Sequence, residues 1–303
     1  MHPAPPHRPL LALVIRLGAI AALATMSALI KLASARDIHL LEIMFWRQFI
    51  TIPVLIAWLM ATGNLAVLAT RRTGRHFTRG LYGTIGMVLN FGAVILLPLA
   101  EATTLNFTAP IWATVLSMLL LKDKVGPWRW SAVVLGFVGI LIIAQPGGGH
   151  IPLTGALVAL AAAFMIALIS IQIADLNRTE KPITIVFYFA LFSAPMTALA
   201  LPFVAHGHDA MGWLLLLAIG VTGFVGQMLL TAALRFGKVA SVIVMDYSSL
   251  FWATLYGWAW FDALPPASTW LGAPLVVGAG LVIAWREHKL ARERQAALAA
   301  EGT

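Results

Sequence analysis

"EIMFWRQFITIPVLIAWLM" occupies Glu42–Met60. Its 19 residues suit a helix crossing a bilayer, yet Arg47 stands inside it. A guanidinium at that depth is costly unless it faces a bundle interior, is paired or lines a pathway. The rest of the 303-residue chain agrees with a membrane setting. Sixty per cent of it is hydrophobic, 11% is charged, and the mean hydropathy is +0.90. Soluble domains carry about 25% charged residues, so this chain has too little polar surface to coat a globule. It reads as a polytopic membrane protein. The apolar run from Leu10 continues past 20 residues with no small-residue cleavage site after a short core, which predicts a retained first span.

Several chemistries are excluded by what the chain contains. Without cysteine there is no disulfide, thiolate metal site or thiol nucleophile. The eight histidines are scattered and form no HExxH; only His206 and His208 could begin a metal site, and no cofactor is expected. No GxxxxGK[ST] occurs, so direct ATP drive is not expected.

Ten apolar segments have spanning length: 10–34, 40–60, 80–98, 102–121, 129–145, 152–174, 183–204, 211–233, 239–260 and 267–285. They are continuously apolar rather than alternating, which predicts helices and not barrel strands. Loops such as "QPGGGHIP" (145–152) and "DALPPAS" (262–268) carry turn chemistry, and the polar tail is expected to form a short surface helix. Sixteen of the 20 Lys and Arg residues fall on one side of this arrangement, Arg79 among them. The positive-inside bias therefore places both termini in the cytoplasm. It also assigns the +8 net charge to orientation and to anionic lipid headgroups, with no nucleic-acid partner. Arg16 is near enough to the first span's end to snorkel, and no substrate role is assigned to it. Glu42 is expected to be solvated at the outer surface.

Shifting residues 83–144 by 140 onto 223–284 superposes "WAT" (112–114) on "WAT" (252–254), Trp130 on Trp270, Gly83 on Gly223 and Gly86 on Gly226. Thirteen of 62 positions are identical, about twice the chance number for this composition. Each half holds five spans, and an odd number inserts the second copy upside down, as in many secondary transporters. The expected fold is an all-α membrane protein of ten transmembrane helices in two inverted five-helix repeats. Residues 1–147 form the first repeat, 148–286 the second, and 287–303 a cytoplasmic tail.

"LNFTAPIWATVLSMLLLKDKVGPWRWSAVVLGFVGILIIAQPG" (105–147) resembles the first-repeat signature of the drug/metabolite transporter superfamily, EamA family, through Pro110, Asp123, Arg129, Gly136, Gly139 and Pro146. That family more often has Glu where Asp123 stands. "MDYSSLFWATLYGWAWFDALPPASTWLGAPLVVGAGLVI" (245–283) is similar to the second repeat, through Tyr247, Ser248, Ser249, Trp252 and Ala253, and "MFWRQF" (44–49) resembles the second-helix motif. The resemblance implies a secondary-active, alternating-access transporter in the bacterial inner membrane, and not an enzyme. Its solute is expected to be a small polar metabolite such as an amino acid or a related compound, Arg47 favours an anionic or zwitterionic one, and the resemblance slightly favours export. An uptake carrier for a larger metabolite or vitamin of the same family is the alternative. An integral-membrane enzyme and a non-transporting sensor are the rivals of another class. Membrane lipid is the other partner, and the protein is a monomer or a homodimer.

The polar residues within spans are the candidate site. Arg47 either grips an anionic group of the solute, for which its planar fork is suited, or pairs with Asp246. Asp246 is a carrier for a coupling proton, a contact for a cationic group, or only a counter-charge. Glu101 is an outer gate or an acid at a helix N-terminus. Asn90, Asn106 and Gln227 are either solute contacts or interhelical hydrogen bonds. Tyr247 and Trp252, with Trp112, Phe91 and Phe107, are an aromatic wall or packing. Trp128, Trp130, Trp213 and Trp270 read as interfacial anchors. Pro53, Pro110, Pro195 and Pro274 are candidate bends.

Overall fold

Apolar segments in lipid must satisfy their own amides and carbonyls, and helices do this within one segment. The computed structural model describes residues 9–121, 127–145, 151–176, 179–236 and 244–301, and among them there is no strand. The first half contains α1 (Pro9–Ser34), α2 (Leu40–Ala61), α3 (Thr73–Leu96), α4 (Leu99–Asn106), α5 (Ala109–Leu121) and α6 (Pro127–Ala144). The second contains α7 (Leu153–Leu176), α8 (Pro182–Ala198), the single turn α9 (Leu201–Val204), α10 (Ala210–Phe236), α11 (Ser249–Phe261) and α12 (Ala267–Glu301). A 3-10 turn, Val244–Ser248, leads into α11. Among the described residues, helices in α1, α2, α3, α7 and α10 are each long and apolar enough to cross a membrane. Shorter and broken helices complete the ten-span, two-repeat bundle. Asp123, Pro146, Lys122, Lys124, Arg178 and Lys238, with the 239–243 start of the ninth span, lie outside the described residues.

Three spans differ from the sequence expectation. The fourth is two helices, because α4 stops at Asn106 and Pro110 sits in the first turn of α5, where a missing N–H costs nothing. Pro110 therefore begins a helix and does not bend one, whereas Pro53, Pro195 and Pro274 lie inside α2, α8 and α12. The ninth span enters α11 through the 3-10 turn at 244–248. Under the 140-residue shift the two interruptions coincide, and Phe107 meets its repeat mate Tyr247 edge-on at 4.9 Å. The tail does not separate from the last span, since α12 continues to Glu301.

Packing follows the duplication. Helix α1 lies along α10 as α7 lies along α3, and α2 meets α10 as α8 meets α3. The self-paired contacts, α2 with α8 and α6 with α12, complete a pattern unchanged when the halves are exchanged. Small residues set the closest approaches. A Cβ on Gly139 would stand 2.9 Å from the Gly272 carbonyl, and one on Gly272 would stand 2.7 Å from the Gly139 carbonyl. The perimeter is apolar, with Trp58, Phe137, Phe203 and Leu271 exposed, as a lipid-facing surface requires. Trp128, Trp130, Trp213 and Trp270 are exposed on it too.

Candidate functional site

Arg47 opens into a cavity of about 270 Å³ between α1, α2, α3, α7 and α8. Met26, Arg47, Arg79, Met87, Asn90 and Phe189 line it, together with Gly83 and Gly86. The Arg47 guanidinium approaches the sulfurs of Met26 (3.3 Å) and Met87 (3.1 Å), donates to the Gln48 side-chain oxygen at 3.0 Å, and lies over the Phe91 ring. None of these partners is anionic. Arg79 is 9% exposed, and its centre lies 4.3 Å from the Phe189 ring centroid. Its Nε and one terminal nitrogen are buried without a hydrogen-bond partner. No carboxylate is among the described residues lining this cavity. Two guanidiniums thus face one hollow without a counter-ion among the described residues of its wall.

The charge bias places Arg79 among the cytoplasmic loop charges, and the structure corrects this. Arg79 is the seventh residue of α3 and belongs to its inner face. The signal was present: Arg79, Gly83, Gly86 and Asn90 recur at i, i+4, i+7 and i+11, one helical face. Gly83 makes the space, since a Cβ there would overlap both the Arg79 guanidinium and the Phe189 ring. Its repeat mate Gly223 has the same relation to Arg47, whose Nε would lie 3.1 Å from an added Cβ.

The other expected site residues do not all gather here. Asn106 donates to the Asn90 side-chain oxygen at 2.7 Å, which ties the break in the fourth span to the cavity wall. Asp246 is not beside Arg47. Both of its carboxylate oxygens accept from Arg16, at 2.7 and 2.6 Å. Arg16 is therefore no snorkelling residue: it is buried, and it clamps the 3-10 turn of the ninth span to α1. Bidentate pairing of this kind is the strong form of a charged hydrogen bond. Arg16→Ala is expected to lower thermal stability by about 1–2 kcal/mol, read as a fall in Tm in detergent, because Asp246 keeps partial access to solvent.

The expected aromatic wall divides into separate groups. Phe91 lines the cavity, and Tyr247 contacts Phe107 with its hydroxyl against Gly280, where no side chain would fit. Trp252 stacks on Tyr256, whose hydroxyl is 2.7 Å from that of Thr25, and Trp112 packs on Phe164. Gln227 is half-buried on α10, outside the cavity lining. Glu101 is 1% exposed in the first turn of α4 and accepts from the Thr269 hydroxyl at 3.0 Å.

Charged clusters close both ends of the bundle. At the end carrying the α1–α2 turn, Arg36 bonds Asp209 at 2.8 Å and His208 Nε2 lies 2.8 Å from Glu42. Glu42 is 2% exposed, so its expected solvation does not hold. The Gly212 N–H and Arg36 hold the Asp209 carboxyl below its ordinary range. At the end carrying the α2–α3 loop, Arg72 bonds Asp175 at 2.6 Å and Thr70 donates to Glu180 at 2.6 Å. His76 Nε2 is 3.9 Å from the same Glu180. The His206 and His208 rings are 6.1 Å apart, and no group of three or more His, Asp or Glu residues that could hold a metal occurs among the described residues.

A ten-span helical bundle duplicated about a cavity, with the fourth span of each repeat interrupted, is the architecture of a membrane carrier. The model of the EamA-like transporter family matches residues 10–145 and 153–285, and the chain belongs to that family. It is 32% identical to a riboflavin transporter of Vibrio cholerae over 82% of this chain and 84% of that one. It is 30% identical to the pseudopaline exporter CntI of Pseudomonas aeruginosa over 85% and 90%. A crystal structure of a 22% identical protein shares the fold, with a TM-score of 0.60 over 93% of this chain and 99% of that one. The family and these named relatives are transporters and not enzymes.

Proposed function

We propose that the protein is a secondary-active, alternating-access carrier of the bacterial inner membrane. Its solute carries an anionic or acceptor-rich polar group that Arg47 and Arg79 hold together. The observation that carries this reading is two guanidiniums, Arg79 buried and Arg47 half-buried, facing one cavity with no acid in its described wall. Charge so placed is tolerable when a transported group supplies the missing acceptors. Asn90 adds an amide whose oxygen is already taken by Asn106, so its nitrogen is a further donor. Phe91 and Phe189 line the same cavity beneath the two guanidiniums.

Riboflavin is the first solute to test. Its ring presents carbonyl acceptors along one edge and a broad face for stacking, and a relative named for its transport is 32% identical. Amino-acid-derived carboxylates are the second, because two guanidiniums suit two carboxylates and another relative exports pseudopaline. The Lys and Arg bias makes the α2–α3 loop end cytoplasmic. Asp246 and Glu101 act through the helices they fix. Asp246 holds the ninth span to Arg16.

Counterflow into proteoliposomes tests this. Riboflavin or glutamate is expected to exchange, and lysine of similar size is not. Equal exchange of lysine, or exchange of none of the three, would overturn the assignment of solute class.

A further inference from the structure

The two end clusters are related by the repeat, a relation that goes beyond the solute site. Glu42 stands in the first turn of α2, and Glu180 stands two residues before α8, its repeat partner. Their imidazole partners are His208, two residues before α10, and His76, in the first turn of α3. Helices α3 and α10 are also repeat partners. Each end therefore joins one half to the other through one glutamate–histidine contact and one Arg–Asp bond. All four groups of the two glutamate–histidine contacts are shielded, with side-chain exposures of 2% and 7% at one end and 9% and 0% at the other.

We propose that these two carboxylate–imidazole contacts are proton-binding sites, one for each side of the membrane, and that a proton on either histidine holds its own end closed. Imidazole is the side chain that ordinarily changes charge between pH 5 and 8. A proton on His208 turns its hydrogen bond to Glu42 into an ion pair, and a proton on His76 gives Glu180, 3.9 Å away, an opposite charge in a shielded place.

The surrounding charges leave each pair as the switching element. Around His208, Arg36 and Asp209 are bonded to each other, the His206 ring lies tilted at 6.1 Å, and Trp213 from α10 covers the ring edge-on. His39 caps α2, and Asp37 lies in the adjoining turn. Around His76, Arg72 is bonded to Asp175, Tyr188 from α8 stacks on the ring at 4.6 Å, and Thr70 donates to Glu180. Lys181 adjoins Glu180, and Arg75 and Arg79 lie within one turn on the helix of His76 itself. With the α2–α3 end cytoplasmic, an acidic exterior then closes the outer end and leaves the inner end free to open.

The absence of cysteine lets spin labels go only where they are placed. Ala35→Cys with Gly207→Cys spans the outer contact, and Ala69→Cys with Lys181→Cys spans the inner one; all four residues are exposed. Pulsed-EPR distances in nanodiscs are expected to be short and narrow at pH 5, the acid end of the imidazole range, and to gain a longer population at pH 8.5. His208→Gln should abolish that response at the outer pair and leave the inner pair responsive, and His76→Gln should do the reverse. Should either variant not fold, Glu42→Gln or Glu180→Gln is read in its place with the same expectation. Distances insensitive to pH in the parent, or a response that survives the substitution, would overturn the proposal. The readout needs no solute, so it stands apart from the assignment of Arg47 and Arg79.

Discussion

Arg79→Ala is expected to cut solute flux by about tenfold to 100-fold, the equivalent of one or two charged hydrogen bonds, without loss of thermal stability. The sign of the second half matters most. A residue that holds the fold together destabilises when removed, as Arg16→Ala should. Arg79 has no anionic partner in the described cavity wall, and two of its nitrogens are buried without acceptors. Its removal relieves a desolvated charge, so Tm should stay level or rise. Arg79→Lys keeps the charge but loses the fork and should recover only part of the flux. Flux at the parental rate in Arg79→Ala would remove this residue from the site. A lower Tm with flux intact would make it a packing residue.

Gly272→Val is expected to give the largest loss of stability. Over-packing a tight site costs about 1–3 kcal/mol where side chains can yield. Here the obstruction is the Gly139 carbonyl oxygen, 2.7 Å from even a single added carbon, with the Ile143 side chain closing the other side. Backbone cannot rotate away, so α6 and α12 must part. Gly278, on the same helix, has nothing within 4 Å of an added Cβ. Gly278→Ala should therefore gain up to about 1 kcal/mol, the ordinary helix preference for alanine over glycine. Thermal unfolding of both variants in one detergent checks the pair. Equal effects would show that the α6–α12 contact is looser than described.

The fold was legible because lipid leaves a chain few options. Ten apolar runs, a basic bias and a self-match at 140 residues are all one-dimensional signals, and helices α1, α2, α7 and α10 stand close to where the hydropathy put them, whereas α3 begins at Thr73, ahead of the expected start at residue 80. What escaped was pairing across the chain. Nothing near Arg16 in sequence announces Asp246, 230 positions away. Nothing near Glu42 announces His208. Arg79 was misread for a different reason: it sits close to a basic loop, and proximity in sequence outweighed its helical face. The glycines opposite it carried the correction, since a face of Gly83 and Gly86 beside an arginine marks a place kept open for a large group. The break after Asn106 escaped because Pro110 suits a helix start and a helix bend equally, and only the neighbouring chain decides between them.

Lys31 constrains how such a machine can move. Its ammonium donates to the carbonyls of Val94, Ile95 and Leu97 at 2.9, 3.2 and 2.6 Å, where α3 ends. Glu101, in the next helix, is close enough to act on its charge and is bonded in turn to Thr269 at the start of α12. Four separate stretches of chain are riveted at that corner. Any swing that carries the end of α1 must take α3, α4 and α12 with it as one lever arm. The compliant joints then belong to α2 and α8, which lie outside the rivet and carry Pro53 and Pro195 in their interiors rather than in their first turns.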